Sequence, residues 1–291
     1  MSQQQRSFGS LISAKQLGSA LGCVKILDSS WHMPNANRDP YQEFLQKRIV
    51  RSRFFDIDGI KDTSSDLPHM LPSPEVFAEA VGKMGIDEND HVVVYDSVGV
   101  FSACRVYWTF KAFGHSSVSV LNGGLPAWDK ENGAIEKGEL EKVEEKQYKV
   151  PALNSRIVRD YQTVLANARK AQKGSQEAVQ VLDARPYPRF TGQAPEPRAG
   201  LSSGHMPGST SVAFNEVVGP DGQFFDDNTL RQVFQGKGVD LSKEIITSCG
   251  SGITASILYL ALERAGAQSL AVYDGSWTEY AGKEDAIITK N

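Results

Sequence analysis

The chain has 291 residues, 40% of them hydrophobic and 23% charged, with a formal net charge of −4. That length accommodates about two domains of ordinary size, and the composition is that of a soluble protein with a packed core. Lys and Arg are scattered, which gives no reason to expect nucleic acid, and no apolar run reaches the ~18–20 residues that span a membrane. The three cysteines, Cys23, Cys104 and Cys249, show no CxxC spacing. This argues against a disulfide framework or a zinc site and favours a reducing compartment. The opening MSQQQRSFGSL has no secretory apolar segment and is too short to be read as a mitochondrial presequence. The expected location is the cytoplasm, with the mitochondrion as an alternative.

In chain order, Val24–Leu27 reads as a short apolar strand ending at Asp28. Phe54–Ile57 and Val92–Tyr95 read as further strands, the latter ending at Asp96. Ser102–Phe113 has helical character and stops at Gly114. Val118–Leu121 is a strand closed by Asn122-Gly123-Gly124. Gly133–Arg156, rich in Glu and Lys, reads equally well as a solvated linker or an exposed helix, and marks a domain boundary. The same order then returns: strands Val179–Leu182, Ser211–Phe214 and Ile245–Thr247, a helix Ala255–Ala265 closing at Gly266, and a strand Leu270–Tyr273 before Asp274-Gly275. Strands alternating with helices imply an α/β fold with a mostly parallel sheet covered on both faces. The spacing between corresponding residues drifts only from 155 for Asp28 and Asp183 to 152 for Gly123 and Gly275, which indicates two copies of one unit. The expected organisation is a first domain over 1–140, a linker over 141–157 and a second domain over 158–291. In this register Cys249 stands opposite Asp96, so one copy keeps a candidate active site and the other serves as scaffold.

The segment from Ile245 to Ala255 runs from strand through loop to helix. Gly250 and Gly252 let the backbone curl around Cys249 with its amides turned inward, as in an anion-binding nest. The following helix presents its positive end. A cysteine so placed is expected to ionise readily and act as a nucleophile. Cys23 and Cys104 read instead as small buried residues. A cysteine phosphatase needs an arginine six residues after its cysteine, and Ala255 occupies that position. A serine nucleophile elbow needs Gly where Cys249 stands. Gly250-Ser251-Gly252-Ile253-Thr254-Ala255 matches a dinucleotide-binding pattern, but too little chain follows it for a nucleotide-binding half.

The loop Cys249-Gly250-Ser251-Gly252-Ile253-Thr254 resembles the active-site loop of the 3-mercaptopyruvate sulfurtransferases of the two-domain rhodanese superfamily. Asp28-Ser29-Ser30-Trp31, Gly204-His205-Met206-Pro207-Gly208-Ser209 and Tyr273-Asp274-Gly275-Ser276-Trp277 resemble further motifs of that family, spread over nearly the whole chain. In the first half, Arg48-Ile49-Val50-Arg51-Ser52-Arg53 departs from the family's His-x-Pro-Gly turn. The resemblance implies two tandem rhodanese-like domains, each a mostly parallel sheet flanked by helices, the second one catalytic. It implies transfer of sulfur from 3-mercaptopyruvate to Cys249, release of pyruvate, and passage of the persulfide to a thiol acceptor such as thioredoxin or to cyanide. No metal or organic cofactor is implied. The alternatives are a thiosulfate-preferring rhodanese and a relay that hands its persulfide to a partner protein, for example towards tRNA thiolation.

A carboxylate substrate suits a guanidinium fork, and the Pro- and Gly-rich segment from Arg185 to Arg198 follows a strand on the side where α/β proteins bind ligands. The resemblance makes Arg189 and Arg198 the substrate clamp, with Gly250, Gly252, Ile253 and Thr254 lining the site. It assigns a proton relay to Ser251, His69 and Asp58. The two positions after the cysteine, Gly250 and Ser251, are neutral where the thiosulfate-using relatives are basic, which favours a thiol donor.

Overall fold

The computed structural model describes residues 8–291, so most of the opening segment considered for targeting lies outside the described residues. The chain divides into two compact units. The first takes the residues up to Ile60, Pro72–Leu153 and Asp221–Gln223; the second takes Lys61–Leu71, Asn154–Pro220 and Phe224–Asn291.

In the first unit the strands are β1 (Leu11–Ile12), β2 (Lys25–Asp28), β3 (Arg48–Ile49), β4 (Arg53–Phe54), β5 (Val92–Tyr95), β6 (Val118–Leu121) and β7 (Ile135–Glu136). Five of them form a sheet in the order β1-β6-β5-β2-β4, every neighbouring pair parallel. The helices are α1 (Ala14–Gly18), α2 (Pro40–Gln46), α3 (Pro74–Lys83), α4 (Ala103–Ala112) and α5 (Gly124–Lys130). The run Val92-Val93-Val94-Tyr95 is wholly buried, as a central parallel strand covered on both faces must be. Each such side chain contributes about 1.5–3 kcal/mol of burial. Local signals set the helix starts: Ser13 and Gln16 form a reciprocal capping box on α1, and Ser73 caps α3 ahead of Pro74.

The second unit repeats the plan. Its strands are β8 (Val158–Arg159), β9 (Gln180–Asp183), β10 (Ser209–Ser211), β11 (Glu244–Ser248) and β12 (Ser269–Tyr273), in the parallel order β10-β9-β11-β12-β8. Its helices are α6 (Tyr161–Gln172), α7 (Tyr187–Thr191), α8 (Asp227–Gly236), α9 (Ile253–Ala265) and α10 (Ser276–Tyr280). Read from β4 and from β10, the two sheets have the same strand order, so the duplication seen in the residue spacing is a duplication of topology.

Several elements differ from the sequence expectations. The strand expected at Phe54–Ile57 ends at Phe54. Phe55 N–H still reaches the Asp28 carbonyl (2.7 Å), but Asp56 then accepts from the amide of Asp58 (3.0 Å) and Ile60 bonds back to the Asp56 carbonyl (2.8 Å), turning the chain. The strand expected at Ser211–Phe214 lies earlier, at Ser209–Ser211. Beyond it the Glu216 carboxylate accepts from Ala213 N–H (2.9 Å) and closes a 3₁₀ turn. In the charged stretch after Gly133, Ile135–Glu136 pairs antiparallel with β3, and residues 137–154 form neither helix nor strand. Cys104 is buried in α4 as expected. Cys23 is exposed, because it falls in the turn that precedes β2, where its amide bonds to the Ala20 carbonyl.

Candidate active site

Cys249 lies at the end of β11, in the second unit, and is 2% exposed. The loop after it is held from several sides. Gly252 takes the left-handed conformation (φ 84°), and its amide donates to Cys249 Sγ at 3.1 Å. The amides of Trp277 and Thr278, in the first turn of α10, donate to the carbonyls of Cys249 and Gly250, both at 2.9 Å. Cys249 N–H donates to Ser276 Oγ at 3.2 Å, and Ser276 Oγ donates to the Tyr273 carbonyl at 2.9 Å. Ser276 is wholly buried with φ 50°, a strained conformation for a residue other than glycine. Its hydroxyl therefore fixes the cysteine amide, while the amide of Gly252 faces the sulfur.

The two arginines named from sequence both reach this loop. A side-chain carbon at Gly250 would sit 3.4 Å from Arg189 Nη2, so the bare glycine leaves the guanidinium room beside the cysteine. Arg198 Nη1 donates to Thr278 Oγ1 (2.8 Å), which in turn donates to the Gly250 carbonyl (2.6 Å). Ser251 is buried next to Cys249, Ile253 opens α9, and Thr254 follows it in the first turn. His69 belongs to the same unit, is 4% exposed and has φ 62°. Its segment is anchored by Leu71 N–H, which donates to Asp274 Oδ2 (2.9 Å), two residues before Ser276. Asp58 falls in the first unit, where its Oδ2 accepts from Trp31 Nε1 at 2.8 Å.

Sequence reasoning missed the groups that hold the arginines. Glu196 is nearly buried and joins two of them. One oxygen accepts from Arg185 Nη1 (2.8 Å), and the other accepts from Arg189 through Nε (3.1 Å) and Nη2. Arg185 is itself buried, paired with both oxygens of Asp183 and laid 4.0 Å over the Trp277 ring. Burial works against its charge, but Asp183 and Glu196 outweigh burial and hold its pKa above the ordinary value. Among neighbouring arginines a buried carboxylate is needed for balance. Glu196, flanked by Pro195 and Pro197, was the one acid in that loop available for the part. Thr278 and Ser276 carried no comparable signal.

In the first unit the equivalent loop follows β5. Asp96 Oδ1 accepts from Val98 N–H (3.1 Å) and Oδ2 from Phe101 and Ala103 N–H (both 2.9 Å). The amide nest thus holds a carboxylate of its own chain. The Leu125 amide donates to the Asp96 carbonyl at 2.9 Å, matching Trp277 and Cys249.

A rhodanese-like domain model matches residues 13–131 and again 166–283, one match in each half. The chain belongs to the rhodanese-like family. Over nearly its whole length this two-domain rhodanese is homologous to 3-mercaptopyruvate sulfurtransferases. The human protein of that name is 37% identical, over 95% of this chain and 94% of its own. The Arabidopsis thaliana thiosulfate/3-mercaptopyruvate sulfurtransferase 1, mitochondrial, is 41% identical, over 91% of this chain and 73% of its own. The crystal structure of the Escherichia coli 3-mercaptopyruvate sulfotransferase SseA superposes with a TM-score of 0.80 at 34% identity, covering 93% of this chain and 99% of that one.

Proposed function

We propose that this rhodanese takes sulfur from 3-mercaptopyruvate onto Cys249 and releases pyruvate. The observation that carries the reading is the convergence of Arg189 and Arg198 on Gly250, beside the wrapped Cys249 sulfur. The arginines bind the substrate carboxylate, which places its thiol at Cys249. The Cys249 thiolate attacks the substrate sulfur and the carbon–sulfur bond breaks. Its electron pair leaves as the enolate of pyruvate, which then gains a proton at carbon. The sulfur remains as a persulfide on Cys249, beside the Gly252 amide. Ser251 takes the proton of the substrate thiol while passing its own to His69, and that proton is the one returned to the enolate carbon. The family resemblance also places Asp58 in this relay, and Asp58→Asn, expected to lower kcat, tests it. Gly252, Ile253 and Thr254 keep the loop closed around the sulfur.

The persulfide is then attacked by an acceptor thiol, for which thioredoxin is the proposed physiological case and cyanide the laboratory one. A partner protein that relays the sulfur onward, for example towards tRNA thiolation, is the alternative acceptor. None of these steps calls for a metal or organic cofactor. No described helix is long and apolar enough to cross a membrane. We propose a cytoplasmic location, with the mitochondrion as the alternative; one relative carries a mitochondrial name.

The second reading is thiosulfate as donor, favoured by the double name of the Arabidopsis relative. Thiosulfate is a dianion, and the neutral Gly250 and Ser251 add no fixed charge to that of Arg189, Arg198 and the helix end. Steady-state kinetics with both donors decides the matter. A clearly larger kcat/KM for 3-mercaptopyruvate is expected, and a preference for thiosulfate at matched concentrations overturns the assignment.

A further inference from the structure

The departure from the family turn, Arg51-Ser52-Arg53, plays no part in the sulfur chemistry, yet it builds a feature of its own. A cleft of about 410 Å³ opens in the first unit, lined by Cys23, Lys25, Arg51, Arg53, Met84 and Asp90 among others. Its volume lies in the range of small-molecule sites. Lys25 starts β2 and Arg53 starts β4, so the cleft sits at the beginning of these parallel strands, at the opposite end of the sheet from the Asp96 loop.

Three cations line this cleft, and among the described residues no carboxylate pairs with Lys25, Arg51 or Arg53. The acid in the lining, Asp90, is already engaged by Lys146 Nζ at 3.0 Å. The cleft is therefore a concentration of positive charge on a chain whose formal net charge is −4. Arg51 is also held at φ 63°, in a turn closed by Ser52 N–H on the Ile49 carbonyl (3.1 Å). Strain of that kind persists where a residue is held for a purpose or by its surroundings. The catalytic repeat lacks this arrangement. Leu27 pairs with Arg53 in the first sheet, and its counterpart Leu182 pairs with Thr210 in the second. Gln180 takes the place of Lys25. The cations belong to this repeat alone, so the shared fold does not account for them.

We propose that this cleft binds a small organic or inorganic anion carrying two or more negative groups, clamped by Lys25, Arg51 and Arg53. Two guanidinium forks and an ammonium suit a polycarboxylate or a diphosphate. The proposal is independent of the sulfurtransferase reading.

Cys23 lies in the lining and is exposed, so it reports occupancy. The rate of its alkylation by iodoacetamide, followed on the Cys23 peptide by mass spectrometry, is measured with citrate, with inorganic pyrophosphate, and with sodium chloride at matched ionic strength. A saturable, several-fold slowing by citrate or by pyrophosphate but not by chloride is expected. Protection by only one of them identifies the anion as carboxylate or phosphate. Arg51→Gln with Arg53→Gln should remove the protection while sulfurtransferase turnover stays at the wild-type level, and Lys25→Gln alone should weaken it. The turnover measurement also shows that the double variant is folded. Absence of saturable protection by either anion, equal protection by chloride, or protection unchanged in the folded double variant overturns the proposal.

Discussion

The loop after β5 closes on Asp96, and the loop after β11 closes on Cys249. The Asp96 carboxylate accepts from three backbone amides and the Cys249 sulfur from one, that of Gly252, and both loops are pinned from the next helix, by Leu125 in one repeat and by Trp277 in the other. In the first, a carboxylate of the chain itself occupies the nest. In the second, the Gly252 amide alone donates to the sulfur, which leaves room for a further atom. The repeats also differ one residue before the pinning amide. Gly124 has φ 54° in the first and Ser276 has φ 50° in the second. A side-chain carbon at Gly124 would fall 2.4 Å from the Asp96 carbonyl, so only glycine fits there. The catalytic repeat accepts the strain of serine and uses its hydroxyl to hold Cys249 N–H. Equivalent loops of the two repeats thus differ in how fully their own side chain uses the backbone amides.

The severest test of this contrast removes the sulfur. Cys249→Ser should fold normally, lose turnover to background, and gain no mass when treated with 3-mercaptopyruvate. Wild type should gain the mass of one sulfur, removable by dithiothreitol. Adding Asp96→Cys to that variant should restore nothing, because Arg189 and Arg198 stand at the other loop. Turnover in either protein would erase the distinction between the repeats.

Next come the arginines. Arg189→Ala and Arg198→Ala should each raise KM for 3-mercaptopyruvate roughly ten- to a hundredfold, the scale of a lost charged hydrogen bond. Lys should rescue only in part, since it lacks the fork. Thr278→Val, which cuts the link from Arg198 to the Gly250 carbonyl, should act in the same direction and more weakly. Unchanged kinetics in both arginine variants would place the carboxylate elsewhere. Gly250→Arg with Ser251→Lys should move the donor ratio towards thiosulfate by roughly tenfold, about the value of one charged contact. Equal loss of both activities would mean that these residues serve only the shape of the loop.

Ser276→Gly copies the first repeat into the second. Relief of the positive φ, about 1 kcal/mol, should offset much of the lost hydrogen bonding. The denaturation midpoint should then change little while kcat falls several-fold. Wild-type kcat in this variant would show that the hydroxyl is not needed to set the loop.

The smallest effect concerns pH. Burial, opposed by the amide bonds, pushes the Asp96 carboxyl up to about 6. A carboxyl raised in the folded state binds its proton more tightly there than in the unfolded chain. Its contribution is therefore present at and below the unfolded value and is lost as pH rises through about 6. Measured against Asp96→Asn by chemical denaturation, the wild type should lose about 1–3 kcal/mol between roughly pH 4 and pH 7. A difference independent of pH would show that Asp96 is ionised throughout.

The duplication, the parallel sheets and Cys249 were legible because each leaves a linear trace: apolar runs of strand length, glycines at fixed spacing, and a wrapped cysteine. Short edge strands such as β1, β4 and β8 left little trace, since two paired residues produce no periodicity. Arg189 and Arg198 could be named from sequence, but the groups that hold them could not. Glu196 acts through two side chains brought near by folding, and Thr278 lies 80 residues from Arg198. The exposure of Cys23 was missed because a turn and a strand entrance differ by only a residue or two in sequence.

Lys61–Leu71, with His69, is counted with the second unit, while Asp221–Gln223 is counted with the first. A duplicated gene begins as two interchangeable modules, each complete in itself. Here each unit includes a short stretch from the other half of the sequence. Cutting the chain at its midpoint would part Lys61–Leu71 from the rest of the unit that bears Cys249. Neither unit, as folded, is one continuous half of the chain.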